Sequence, residues 1–99
     1  MFTQEGILEQ LNQKVDELKQ NFSVNTIGLF GSLARNEADM ESDVDILVDL
    51  IEPTFDHYMD LKFYLESLFG REVDLVIADT IKPRLESVIK KEVIYAKGL

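Results

Sequence analysis

Gly31-Ser32, ten residues, and then Asp43-Val44-Asp45 form the part of this chain that leaves the fewest folds open. Thr26-Ile27-Gly28-Leu29-Phe30 reads as a buried strand that runs directly into the glycine and serine. A strand that ends in a glycine turn and a helix start offers backbone N–H groups to an anion. Residues 44–50 read as the next strand, with apolar and acidic positions alternating. Successive side chains on a strand point to opposite faces, so Val44, Ile46 and Val48 share one face and Asp43, Asp45 and Leu47 the other. The short link between the two strands allows an antiparallel pair. Anion-binding amides then face a carboxylate pair.

The remaining periodicities supply the cover. Thr3 is positioned to cap a first helix whose apolar residues Ile7, Leu8, Leu11, Val15 and Leu18 keep a helical period. Residues 21–25 are a polar break, 33–36 a short helical piece and 37–42 a polar loop. Pro53 and Thr54 start a helix with Tyr58, Leu61, Leu65 and Leu68 on one stripe, and Gly70 ends it. A third strand over 72–77 puts Val73, Leu75 and Ile77 on one face and Asp74 and Val76 on the other. Asp79-Thr80 and Pro83 open a last helix, with Leu85, Val88 and Ile89 expected inward. The pattern in 93–96 fits a short strand or a helix end equally.

Strands two and three, joined through a helix, should be parallel neighbours with a right-handed crossover. The expected fold class is therefore α/β (α+β), a small mixed β-sheet with helices packed on one face. Asp43, Asp45 and Asp74 fall together on the uncovered face, assigned there independently by two strands.

At 99 residues the chain is expected to be one domain, 1–99. No apolar run approaches the ~20 residues of a membrane span, and no basic-then-apolar leader opens the sequence. A cytoplasmic protein with no membrane partner is expected, and the absence of cysteine fits a reducing compartment. With 19 acidic against 10 basic residues the net charge is −9, which argues against a nucleic-acid backbone as a direct partner. Lys82, Arg84, Lys90, Lys91 and Lys97 lie near the C-terminus, while Arg35 stands alone inside the motif. Solubility accounts for much of this acidity; a basic protein partner and metal recruitment are the functional alternatives.

Three clustered carboxylates without a counter-ion repel one another and raise at least one pKa. One or two Mg²⁺ ions would keep them ionised as oxygen ligands for a hard cation that also binds substrate phosphates. Two metals about 4 Å apart can activate an attacking hydroxyl and stabilise a leaving pyrophosphate. Gly31 lets backbone approach a phosphate, Ser32 can donate its hydroxyl and N–H to the β/γ phosphates, and Arg35 can add charge. Taken singly, Gly31-Ser32 is a strand-to-helix turn with a capping serine, and Asp43 and Asp45 are solvated residues that discourage edge pairing. Jointly, with Asp74, they favour a site.

The Gly-Ser, ten residues, Asp-x-Asp spacing with a third Asp on a later strand resembles the DNA polymerase β-type nucleotidyltransferase superfamily. The small size and the wording Gly31-Ser-Leu-Ala-Arg35 and Ser42-Asp-Val-Asp-Ile-Leu-Val48 are similar to its minimal nucleotidyltransferase branch, the MntA-like antitoxins. The resemblance implies a polymerase β palm-like fold with Asp43 and Asp45 holding two Mg²⁺ ions. Asp74 would complete the catalytic metal site and help deprotonate the acceptor hydroxyl. Gly31 and Ser32 would bind the triphosphate of ATP, with Arg35 as an accessory. Members of this branch are typically paired with a HEPN-domain RNase toxin and can move AMP from ATP onto a tyrosine of it. A hetero-oligomer with such a toxin is therefore implied, acting as an antitoxin by adenylylation. The alternative is a largely non-catalytic binding module that neutralises its partner by occlusion.

Larger relatives follow the catalytic domain with a helical domain that holds base and acceptor. The acceptor is accordingly expected from outside these 99 residues, which makes transfer to a small molecule such as an aminoglycoside the weaker option. Asp49 continues the acidic face but is expected to be a solvated strand end, and His57 a surface residue. Tyr58, Phe63, Tyr64 and Phe69 read as core and interface, and Phe30 as packing under the turn. Glu37, Asp39 and Glu41 make the loop before Asp43 acidic, with solvation the default role.

Overall fold

The N-terminal periodicity, which predicts one helix, is carried by two, α1 (Gln4–Gln13) and α2 (Val15–Phe22). Thr3 caps the first as expected, its hydroxyl accepting the Gly6 N–H at 3.0 Å. The break falls at Lys14, whose N–H turns back to the Leu11 carbonyl at 3.1 Å. The buried stripe passes through the break intact: Ile7 and Leu11 from one helix, Val15 and Leu18 from the other. This is why periodicity alone did not reveal it. The computed structural model describes residues 3–38 and 43–97.

Ser23, at φ 60°, ends α2 in a left-handed turn, and β1 (Val24–Phe30) begins two residues earlier than the apolar run suggests. A one-turn helix, α3 (Gly31–Ala34), follows at once. Then come β2 (Val44–Leu50), α4 (Phe55–Phe69) and β3 (Val73–Ile77). Thr54 caps α4 by accepting the His57 N–H at 3.1 Å, and Gly70 ends it at φ 67°. A 3₁₀ turn (Ala78–Thr80) leads to α5 (Pro83–Glu92), and the open 93–96 pattern resolves into a strand, β4 (Ile94–Tyr95).

The sheet order is β3-β2-β1-β4, with β2 and β3 parallel and the other pairs antiparallel. One face carries Ile27, Leu29, Val44, Ile46, Val48, Val73 and Leu75 into a single cluster with Leu11, Leu18, Leu61 and Leu65 of the helices. Truncating a fully buried leucine in such a cluster typically costs about 2–5 kcal/mol, so this face holds the sheet in place.

The opposite face departs from expectation in two ways. Its centre is covered: Leu47 is 2% exposed, although it lies outside that cluster. Its register partner Gly28 is overlain by Val93 and Tyr95, whose atoms lie 2.8 and 3.1 Å from where a β-carbon on Gly28 would sit. The second departure is α5, which has no buried residue. Leu85 and Val88, expected inward, are 46% and 57% exposed, and Ile89 is only partly covered. Among the described residues, no helix is long and apolar enough to cross a membrane.

Candidate active site

Asp45 and Asp74 occupy facing positions in the parallel β2–β3 pair, and Phe30 faces Asp45 from β1. Side-chain alternation alone places both carboxylates on the face away from the main core. Asp43, exposed and one residue before β2, continues the Asp45 side of the strand. The expected carboxylates therefore gather at the N-terminal ends of β2 and β3, beside the C-terminal end of β1.

Two groups on α4 seat β3. The Tyr58 hydroxyl donates to the Leu75 carbonyl at 2.8 Å, and Glu66 accepts the Val73 N–H at 3.1 Å. These bonds fall on the residues immediately before and after Asp74, so α4 sets where that carboxylate stands. Glu66 is itself bonded to Lys62 at 3.0 Å, and both neighbours hold its carboxyl below the usual carboxylate range.

The glycine turn meets the Asp45 carboxylate directly. Gly31 has φ 76°, a conformation that glycine adopts without penalty. A β-carbon there would lie 2.8 Å from the Asp45 carboxyl carbon and would collide with its Oδ2. Ser32 follows, half-buried in the single turn of α3. Arg35 closes that turn, its N–H reaching the Gly31 carbonyl at 3.1 Å.

Arg35 is engaged rather than open. Its Nη1 donates to Glu92 at 2.8 Å, and its Nε lies 3.4 Å from Glu37. The same Glu92 oxygen accepts the Gly31 N–H at 2.8 Å. Glu92 is the contact that sequence reasoning missed; it stands 61 residues from Gly31 on a helix with no motif around it.

The electrostatics centre on Asp45, with three further acids and one guanidinium acting on it. Burial pushes the Asp45 carboxyl up to about 6, with repulsion from Asp74, Asp43 and Glu92 adding to it and Arg35 opposing it. A carboxylate held this high lacks counter-charge, and an all-oxygen donor set suits a hard divalent cation. Among the described residues, no three acidic, histidine or cysteine side chains converge tightly enough to hold an ion by themselves. Mg²⁺ commonly binds through one or two carboxylates and completes its shell with substrate phosphates and water, so these residues fit it as an open site.

The remaining expectations sort cleanly. Asp49 accepts from Asn25 Nδ2 at 2.8 Å at the far end of β2, in keeping with a strand-end role. His57 Nδ1 lies 2.7 Å from the Glu52 carbonyl in the first turn of α4, at the other end of the sheet from Asp45. Tyr58, Tyr64 and Phe69 pack against the core, whereas Phe63 is exposed. The acidic loop positions 39 and 41 lie outside the described residues.

Residues 11–96 match the family described as "Nucleotidyltransferase domain". This chain belongs to the nucleotidyltransferase family. Protein adenylyltransferase MntA of Thermococcus cleftensis is 43% identical over 96 residues, spanning 96% of this nucleotidyltransferase and 97% of the relative. A solved structure assigned as a minimal nucleotidyltransferase superposes with TM-score 0.79 at 34% identity, covering 94% of this chain and 95% of that one. The mixed sheet and its helices are thus the minimal nucleotidyltransferase fold. A complex of a tri-AMPylated Shewanella oneidensis HEPN toxin with an MNT antitoxin matches at TM-score 0.68, covering 98% of this chain and 74% of that one. Its 19% identity speaks for the fold alone. In this nucleotidyltransferase the glycine turn packs against Asp45, the residue that Asp74 faces across β2 and β3.

Proposed function

We propose that this nucleotidyltransferase is a Mg²⁺-dependent protein adenylyltransferase that moves AMP from ATP onto a tyrosine hydroxyl of a HEPN RNase toxin, and so acts as its antitoxin. The observation that carries the reading is the facing of Asp45 and Asp74 beside the Gly31 turn. Mg²⁺, held by Asp43, Asp45 and Asp74, would supply charge neutralisation at the phosphates and acidify the attacking hydroxyl.

The chain's own residues account for the rest. Gly31 and Ser32 bind the β- and γ-phosphates at the start of α3, and Arg35 adds a positive charge beside them. Asp74, exposed at its strand position, takes the proton of the acceptor hydroxyl. The hydroxyl oxygen bonds to the α-phosphorus, the bond between that phosphorus and the α,β-bridging oxygen breaks, and pyrophosphate leaves with the electron pair.

The test is incubation with α-labelled ATP, MgCl₂ and the product of the neighbouring gene, expected to be a HEPN toxin. Label should pass to the toxin from wild type and not from the Asp43→Asn, Asp45→Asn double variant. No transfer from wild type, or equal transfer from both, would defeat the proposal. Neutralisation by occlusion is the second reading, favoured by the exposed Leu85 and Val88. It gains if the double variant still silences the toxin fully in cells.

A further inference from the structure

The Gly31 turn already holds an anion, and it belongs to the protein. One oxygen of Glu92 accepts both the Gly31 N–H and an Arg35 Nη1 proton, each at 2.8 Å. The carboxylate is well covered, with its side chain 17% exposed against 47% for Arg35. A backbone N–H at a helix start and a guanidinium are the donors that recognise phosphate oxygens. They are also the donors that the proposed triphosphate site needs.

We propose that Glu92 is a placeholder for the triphosphate: it occupies the Gly31–Arg35 anion position in the free protein, and nucleotide enters by displacing it. The proposal rests on the triphosphate reading of that turn and adds the residue that sets its affinity. In the free protein Glu92 keeps two phosphate donors aligned and satisfied. It does so at a cost, because its negative charge also faces the carboxylate of Asp45. A phosphate group offers the same donors more oxygens and more charge. Release leaves the core untouched, because Glu92 ends α5, a helix with no buried residue.

A structural staple and a placeholder differ in sign. Removing a staple loosens the turn and weakens triphosphate binding. Removing a placeholder raises the fraction of molecules open to ligand, and apparent affinity rises by the same factor, here expected to be about three- to tenfold. Calorimetric Kd values for MgATP and for inorganic tripolyphosphate would be measured on wild type, Glu92→Gln and Glu92→Ala, with melting curves alongside. The expected result is tighter binding of both ligands to both variants, and a larger ligand-induced rise in Tm.

A titration of wild type with tripolyphosphate, followed by NMR, does not depend on the variants folding. The Gly31 amide and the Glu92 side-chain carboxyl should shift together as ligand saturates. Unchanged or weaker binding by the variants, or a Glu92 carboxyl that does not move, overturns the placeholder while leaving the nucleotide reading intact. Absence of triphosphate binding by every protein overturns both.

Discussion

The Asp45 side chain fills the space in which a β-carbon on residue 31 would sit. The turn proposed to meet phosphate and the carboxylate proposed to meet metal are therefore one packed unit. Gly31→Ala would pay twice, through the left-handed φ of 76° and through collision with Asp45. The combined expectation is a loss of about 1–3 kcal/mol in stability. Because misplacing reacting groups by about 1 Å can cost 100-fold in rate, AMP transfer should fall by about that factor. Thermal melts and label transfer on the same preparation check both.

Burial and repulsion that lift the Asp45 carboxyl from 3.8 to about 6 also carry a stability signature. Between those values the folded chain holds a proton that the unfolded chain has released, so this contribution falls as pH rises through the window. Asp45→Asn should therefore melt higher than wild type at pH 7.5, by about 1 kcal/mol after allowance for solvent screening, and match it near pH 4. Mg²⁺ should raise the wild-type Tm at pH 7.5 more than that of Asp45→Asn. Paired pH series with and without EDTA would read this, and a variant no more stable at pH 7.5 would contradict it.

Much of this arrangement is written locally in the chain. Alternation in two separate strands assigned Asp45 and Asp74 to one face, and their facing register bears it out. Capping chemistry likewise marked Thr3, Thr54 and Gly70 at the helix ends where they stand. What was not legible depends on partners distant in sequence. An apolar stripe reports that a helix is one-sided, not that anything covers the stripe, so Leu85 and Val88 read as inward yet stand exposed. Glu92 resembles any helix-end glutamate until the fold brings it to Gly31. Gly28 likewise gave no sign that Val93 and Tyr95 would close over it.

Tyr58 offers a test of how α4 serves the site from behind the sheet. Its hydroxyl donates to the Leu75 carbonyl, one residue past Asp74. Tyr58→Phe keeps the ring and removes only that bond, which should cost about 1 kcal/mol. Transfer activity should fall further than Kd for ATP rises, because the strand that loses its tether carries the proposed proton acceptor and not the proposed phosphate turn. Melting curves, calorimetry and initial rates separate the two effects. Equal changes in rate and affinity would show that Tyr58 acts on the fold alone.

The exposed face of α5 predicts an unusual pair of outcomes for one variant. Leu85 and Val88 are large, apolar and about half exposed, so replacing both by serine removes little buried area. Surface substitutions of this kind usually change stability by less than about 0.5 kcal/mol, and the Leu85→Ser, Val88→Ser variant should melt with wild type. Were the stripe part of the core, as its periodicity suggests, the same double change would cost several kcal/mol, since each truncation alone costs about 2 kcal/mol or more. The melt therefore decides whether α5 is a covered helix or an open one. In the open case the stripe lies on the helix whose last residue bonds to Gly31, so a partner seated there would border the Gly31 turn. Toxin binding by the double variant should then weaken by about tenfold or more while its binding of ATP stays with wild type. Pull-down and calorimetry on one preparation read both, and a variant that binds toxin normally would place the interface on another face.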